Sequence, residues 1–161
     1  VPALDTGKKV LIQSMAIMEY LDETQPNPPF LPKDPLARAY VRALSQIIAC
    51  EIHPLNNVRV LKYLENELGH AEPARNKWYA HWVREGFVSM EDMLKREKQH
   101  GKFCFGDQPT MADICLVPQV FNAQRFNCPT DDYPTLMRIH DACMSLKAFQ
   151  DAAPMKQGDA A

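Results

Sequence analysis

Three kinds of side chain with chemical reach crowd into the run Glu51-Ile52-His53-Pro54-Leu55-Asn56-Asn57-Val58-Arg59-Val60-Leu61: an imidazole, two amides and a guanidinium. A guanidinium is planar and always charged, and it can grip a carboxylate through two parallel hydrogen bonds. Leading into and through the start of this run, Val41, Leu44, Ile48, Ile52 and Leu55 recur at three- and four-residue steps and draw one apolar stripe on a helix. Past Pro54 the same stripe turns polar and falls on Asn56, Arg59, Tyr63 and Asn66, while Val58, Leu61, Leu64 and Leu68 open an apolar stripe on another side. The pattern reads as a helix passing from core to cleft. Pro54 marks the change, because it removes one backbone donor and crowds the carbonyl of Cys50, so a bend is expected. A surface helix with a merely solvated polar side would show the same periodicity. A second arginine repeats the theme: Ile114, Val117, Phe121 and Arg125 share one stripe that also ends in a cation.

Several elements have to position these groups. Two β-prone runs, at residues 1–4 and 9–12, flank Asp5-Thr6-Gly7-Lys8, a turn with glycine where positive φ is cheap, so a hairpin is expected. Two strands alone are marginal in water, and this hairpin wants a larger sheet. Gln13-Ser14 leads into Met15, Ile17, Met18 and Leu21, a helix to about Thr24 with Ser14 as its N-cap. Residues 25–35 hold Pro26, Pro28, Pro29, Pro32 and Pro35, which excludes regular structure and reads as a semi-rigid linker. The pattern after it is helical. One long helix is expected over residues 35–68, roughly 50 Å at ~1.5 Å per residue, opened by Asp34 or Pro35. A second should cover 72–100, with Trp78, Trp82, Phe87, Met90 and Leu94 as its apolar side and Gly101 as its stop. Thr110-Met111-Ala112-Asp113 has the form of a capping box, and the helix it starts is apolar nearly all round, hence central. Residues 134–146 and 148–153 are a final helix and a helical turn.

A chain of 161 residues can bury a real core. Its net charge of −2 comes from mixed signs, with no basic run that would argue for nucleic acid. No apolar stretch approaches the ~20 residues needed to span a bilayer. Five cysteines (Cys50, Cys104, Cys115, Cys128 and Cys143) are odd in number, widely spaced and without a CxxC pair. That fits neither a disulfide framework nor a zinc site, and reduced, mostly buried thiols in a cytoplasmic protein are expected. The chain opens at Val1-Pro2, straight into strand-like sequence, as a domain entered part-way.

The order of parts resembles a glutathione transferase joined at the third strand of its thioredoxin-like half. Val1-Pro2 followed by Gln13-Ser14, the Pro-rich linker into an all-helical half, and the box at Thr110 to Asp113 carry the resemblance. Within that superfamily the chain is similar to the zeta class, through His53-Pro54-Leu55-Asn56-Asn57-Val58-Arg59-Val60-Leu61, Leu116-Val117-Pro118-Gln119-Val120 and Asn122-Ala123-Gln124-Arg125-Phe126. The resemblance covers essentially the whole chain. It implies a mainly α protein: the remnant of a thioredoxin-like α/β domain (β-hairpin plus helix) in residues 1–24, a linker in 25–35, and an all-α, substrate-binding C-terminal domain in 36–161.

The resemblance also implies a glutathione-dependent cis–trans isomerase of a maleyl-type dicarboxylate, working as a homodimer without nucleic acid or membrane. Pro2 would be cis, letting the backbone of Val1 pair with the cysteinyl unit of glutathione. Gln13 and Ser14 would hold the γ-glutamyl carboxylate, Ser14 with the donors and dipole of a helix N-terminus. Arg59 and Arg125 would serve a substrate with two carboxylates and a carbonyl that becomes enolate-like. His53 and Asn57, one helical turn apart, would bind the substrate or glutathione. Arg59, two residues from Asn57, reaches the same pocket only through its length or the bend at Pro54. Either arginine could instead be a structural ion pair, and His53 a satisfied buried imidazole. The thiol-activating Ser-Ser-Cys-like run of the family has no counterpart in these residues, so a protein starting at Val1 should turn over feebly. A zeta-class transferase acting on α-halo acids, and a non-catalytic helical interaction module, are the alternatives.

Overall fold

The computed structural model describes residues 2–158. The hairpin is present: β1 (Ala3–Asp5) pairs antiparallel with β2 (Val10–Ile12), placing Leu4 opposite Leu11. Gly7 turns it at φ +75°, where an L side chain would be strained, and the Asp5 carboxylate accepts from its N–H at 2.8 Å. Helix α1 (Ser14–Thr24) follows and buries Ile17 and Met18.

The Pro-rich stretch is irregular, as its composition dictates, but it is firmly attached. Asp22 of α1, itself buried, accepts from the N–H groups of Phe30 and Leu31, and the Phe30 carbonyl accepts from Met111 at 2.9 Å. Leu31 joins Met18 in the same core as the helical half.

Asp34 opens α2 (Pro35–Gln46), its carboxylate accepting from Ala37 at 2.8 Å. The single 50 Å helix does not form. The chain widens into a π-helical stretch at Ile47–Ile52, turns through residues 53–57 and restarts as α3 (Val58–Asn66). Pro54 is the cause, since it can neither donate to Cys50 nor sit against that carbonyl. The His53 N–H reaches back five residues to Ile48 at 2.9 Å, and Asn57 caps the new helix by accepting from Arg59 at 3.1 Å. The expected bend is therefore a break. The first apolar stripe holds, with Val41, Leu44, Ile48 and Ile52 all buried. The second survives at Leu64, with Leu61 partly buried, because Val58 lies on the exposed side of the separate α3 and Leu68 falls in the exposed turn after it.

Helix α4 (Glu72–Glu97) ends earlier than expected, at Lys98 in the left-handed conformation (φ +52°). Gly101 does not stop the helix but permits a close approach, since a Cβ there would lie 2.5 Å from Asp107 Oδ1 and 2.7 Å from the Gly106 carbonyl. The buried side of α4 runs through Tyr79, Val83, Phe87, Met90 and Leu94, while Trp78 and Trp82 are half-buried beside it. Gly86, on this side, lets the π-helical stretch approach closely.

The central helix is α5 (Met111–Arg125), and the capping box that starts it is present. The Asp113 carboxylate accepts from the Thr110 N–H at 2.7 Å, the Thr110 hydroxyl at 2.8 Å and the Cys104 N–H at 2.9 Å. Glu91 of α4 supplies the next helix start: it accepts from Thr135 at 3.0 Å and Leu136 at 2.9 Å in the first turn of α6 (Pro134–Met144). A short α7 (Lys147–Asp151) and a 3-10 turn (Pro154–Lys156) follow. All five cysteines are free, and four of them are buried. No described helix is long and apolar enough to cross a membrane.

Candidate active site

The start of α1 is an anion-ready surface built differently from expectation. Ser14 is not the N-cap; it is the first helical residue, and Gln13 occupies the cap position at φ +73° and ψ +118°. A non-glycine residue held there is strained, a conformation that clusters at binding sites. No side chain caps the helix, so its first N–H groups, oriented with the positive end of the helix dipole, have no side-chain partner. Gln13 and Ser14 are both exposed beside them. Val1, and with it the Val1–Pro2 bond, lies outside the described residues.

The break at Pro54 reshapes the second cluster. His53 and Asn57 do not share a helical face, because residues 53–57 are a turn. The His53 side chain is exposed, not a buried imidazole, and Asn57 spends its Oδ1 on the cap of α3. Arg59, the second residue of α3, is exposed, and so is Arg125, the last residue of α5. Among the described residues neither guanidinium pairs with an acid, whereas Arg42, Arg75, Arg84 and Arg96 each pair with a glutamate. The structural ion-pair alternative for Arg59 and Arg125 thus finds no partner among the described residues.

One turn of α4 holds both arginine-bearing segments. Trp78 Nε1 donates to the Leu55 carbonyl at 2.9 Å, and Asn56 Nδ2 donates to the Tyr79 carbonyl at 3.1 Å. The Tyr79 ring stacks on Phe126, next to Arg125, with centroids 3.8 Å apart and planes 11° from parallel. Burial pushes the Tyr79 phenol up to about 12, Cys128 adds to the rise, and the nearby Arg125 charge opposes it. Asn56, Tyr79 and Phe126 escape attention in the sequence as site residues. The signal for Tyr79 is there, since Tyr79, Val83, Phe87, Met90 and Leu94 form a cleaner stripe than the one drawn through the tryptophans.

The Ile114, Val117 and Phe121 stripe does not open toward Arg125 alone. It lines an apolar cavity of about 800 Å³ together with Phe30, Met144 and Phe149, and neither Arg59 nor Arg125 is in that lining. The arginines lie at element ends, and the stripe faces the linker and the C-terminal helices. Among the described residues no cluster of His, Cys, Asp and Glu is arranged for a metal.

A hairpin and helix joined to an all-helical half, carrying an uncapped helix start and two arginines without an acidic partner among the described residues, offers groups suited to anionic ligands. Residues 58–142 match the family model for the glutathione S-transferase C-terminal domain, and residues 1–23 match that for its N-terminal domain. The chain belongs to the glutathione S-transferase family. Among its relatives, the maleylpyruvate isomerase of Ralstonia sp is 48% identical over 161 residues, spanning 100% of this chain and 76% of the relative. A holo structure of maleyl pyruvate isomerase, a bacterial glutathione S-transferase in the zeta class, superposes with TM-score 0.98 at 48% identity, over 100% of this chain and 76% of the other. The maleylacetoacetate isomerase of Anaeromyxobacter dehalogenans, with dicarboxyethyl glutathione and citrate bound in its active site, superposes with TM-score 0.91 at 38% identity, over 100% and 73%. Within the family this chain is of the zeta class.

Proposed function

We propose that this protein is a glutathione-dependent cis–trans isomerase of a maleyl-type dicarboxylate, maleylpyruvate or maleylacetoacetate, in aromatic catabolism. The observation that carries the reading is a pair of unpaired, exposed arginines anchored on one turn of α4, in a chain 48% identical to a maleylpyruvate isomerase. The uncapped start of α1 at Gln13 and Ser14 fits the γ-glutamyl carboxylate of glutathione, because it presents unpaired N–H donors and a favourable dipole. His53, Asn57 and Arg59 would complete that pocket in this reading, and Val1 would contribute through its backbone.

Glutathione, when bound, supplies a thiolate that adds reversibly to the cis double bond and so leaves a single bond free to rotate. Arg59 and Arg125 hold the two substrate carboxylates. Charge that develops on the conjugated carbonyl would be stabilised by the arginine holding the neighbouring carboxylate, which favours the charged state over the starting ketone. His53, exposed in the turn before α3, would donate to the same oxygen in this reading. A homodimer in the cytoplasm belongs to this reading.

The test is the rate of isomerisation of maleylpyruvate with glutathione for the full-length protein and for Arg59→Ala and Arg125→Ala. Removing a charged hydrogen-bonding partner worth ~1.5–3 kcal/mol should lower kcat/KM by roughly ten- to several-hundred-fold. Unchanged rates in both variants would make the arginines bystanders.

A further inference from the structure

We propose that Tyr79 is a positioning residue that sets the spacing between the two arginine anchors, and thereby tunes the site to a dianion with its carboxylates on the same side of a double bond. The inference rests on the reading of Arg59 and Arg125 given above. A cis ene-dioate cannot adjust the separation of its carboxylates by rotating about that bond, so the groups that grip them need a set separation as well. Arginine side chains are long and flexible. What a fold can set is where each one is rooted.

Both roots meet at Tyr79. Arg125 ends α5, and the chain leaves the helix at Phe126 and passes through Asn127 at φ +53°. The backbone closes the helix end itself, with Cys128 N–H donating to the Ala123 carbonyl at 2.8 Å and Phe126 N–H to Asn122 at 3.1 Å, but those bonds do not set how the end lies against α4. Here the Phe126 ring lies flat on Tyr79 at 3.8 Å between centroids. Tyr79 is 3% exposed, and its own place is set by the core line of α4. On the other side its carbonyl takes the Asn56 side-chain donor at 3.1 Å, and Asn56 is itself buried. The next residue, Asn57, caps α3, and Arg59 is two residues further on. Ring and carbonyl of a single residue thus hold the residue that follows one arginine-bearing helix and the turn that leads into the other. Neither contact uses the phenol hydroxyl, so the stacking ring and the helical backbone are what matter.

The experiment compares Tyr79→Leu, Phe126→Leu, the double variant and Tyr79→Phe in the full-length protein, with Arg59→Ala and Arg125→Ala alongside. The readouts are KM and kcat for maleylpyruvate, and the inhibition constants of maleate and of crotonate, a monocarboxylate with the same four-carbon chain. The leucine variants should raise KM and the maleate constant about tenfold while the crotonate constant moves less than about twofold. The double variant should do no more than either single one, because one stack is lost in each. Tyr79→Phe, which keeps the ring, should behave as the parent protein. If maleate and crotonate weaken together, in step with a falling melting temperature, Tyr79 is only structural and the inference is wrong. If the leucine variants leave the maleate constant unchanged while the arginine variants raise it, the inference fails and the functional reading stands. If the arginine variants also leave it unchanged, the assignment of Arg59 and Arg125 to the substrate carboxylates falls, and the inference with it. Should Tyr79→Leu not fold, Phe126→Leu, at a half-buried site, decides the same question.

Discussion

Substituting Gly86 by alanine tests the packing that shapes the π-helical stretch. A Cβ at Gly86 would lie 2.2 Å from Ile52 Cγ1 and 2.3 Å from Ile52 Cδ1. Ordinary carbon contacts sit near 3.5–4.0 Å, so the new methyl needs more than about 1 Å of movement. Ile52 has nowhere to go, being fully buried in a close-packed core. Overpacking of this kind costs roughly 1–3 kcal/mol, and a clash with two carbons of one buried side chain belongs at the upper end. Against it stands the better helix propensity of alanine in mid-helix, ~1 kcal/mol. The net is a loss of about 2 kcal/mol, which for a chain of this size lowers the melting temperature by about 4–8 °C. Calorimetry on Gly86→Ala, Ile52→Ala and the double variant gives the answer. Ile52→Ala alone should destabilise by opening a cavity, and the double variant should be more stable than the two losses summed, since the new methyl then fills space. A Gly86→Ala protein as stable as its parent, or a double variant that is strictly additive, would refute the claim that Ile52 fills the space above Gly86.

Three further outcomes follow from charges and thiols. Glu91 is held below the usual carboxylate range: burial works against the charged form, but the Leu136 and Thr135 N–H groups and Lys95 outweigh it. Because its folded pKa is depressed, its contribution is complete above the unfolded value near 4.3 and is lost as pH falls through the folded one. Urea midpoints should therefore drop in acid, and Glu91→Gln should flatten that part of the profile. Asp113→Ala strips acceptors from the Thr110 and Cys104 amides and the Thr110 hydroxyl, and should cost about 3 kcal/mol or more in chemical denaturation. An aromatic disulfide reagent should label Cys50 promptly in the native protein and the other four only on unfolding; burial pushes Cys115 up to about 12 and raises Cys104, Cys128 and Cys143 as well.

Local signals were legible wherever a residue acts on its own neighbours. Asp34, the Thr110–Asp113 box, the hairpin turn at Gly7 and the stripe from Val41 to Ile52 all express short-range chemistry, and all stand in the fold. The class of protein was legible too, because its motifs are dense between His53 and Leu61 and between Leu116 and Phe126. What stayed hidden depends on contacts between distant elements. Pro54 announces a disturbance, but whether the helix bends or breaks depends on Asn57 capping the next one and on Asn56 finding the Tyr79 carbonyl 23 residues away. Gly86 looks like a weak point in a helix until Ile52 is seen against it. Ser14 has the right chemistry for an N-cap, yet the backbone at Gln13 takes a positive-φ turn that moves the cap one residue upstream.

The attachment of the Pro-rich stretch bears on how the apolar pocket that Phe30 helps to line can open. Three backbone groups of Phe30 and Leu31 are engaged, two by Asp22 and one by Met111. A strut pinned in this way resists swinging, so the path to the pocket should open through local rearrangement of side chains and turns instead of a clamshell motion. Slow deuterium uptake at Phe30 and Leu31, beside fast uptake at Lys147 and Phe149 in the first turn of α7, would be the mark of a doorway set in a rigid wall.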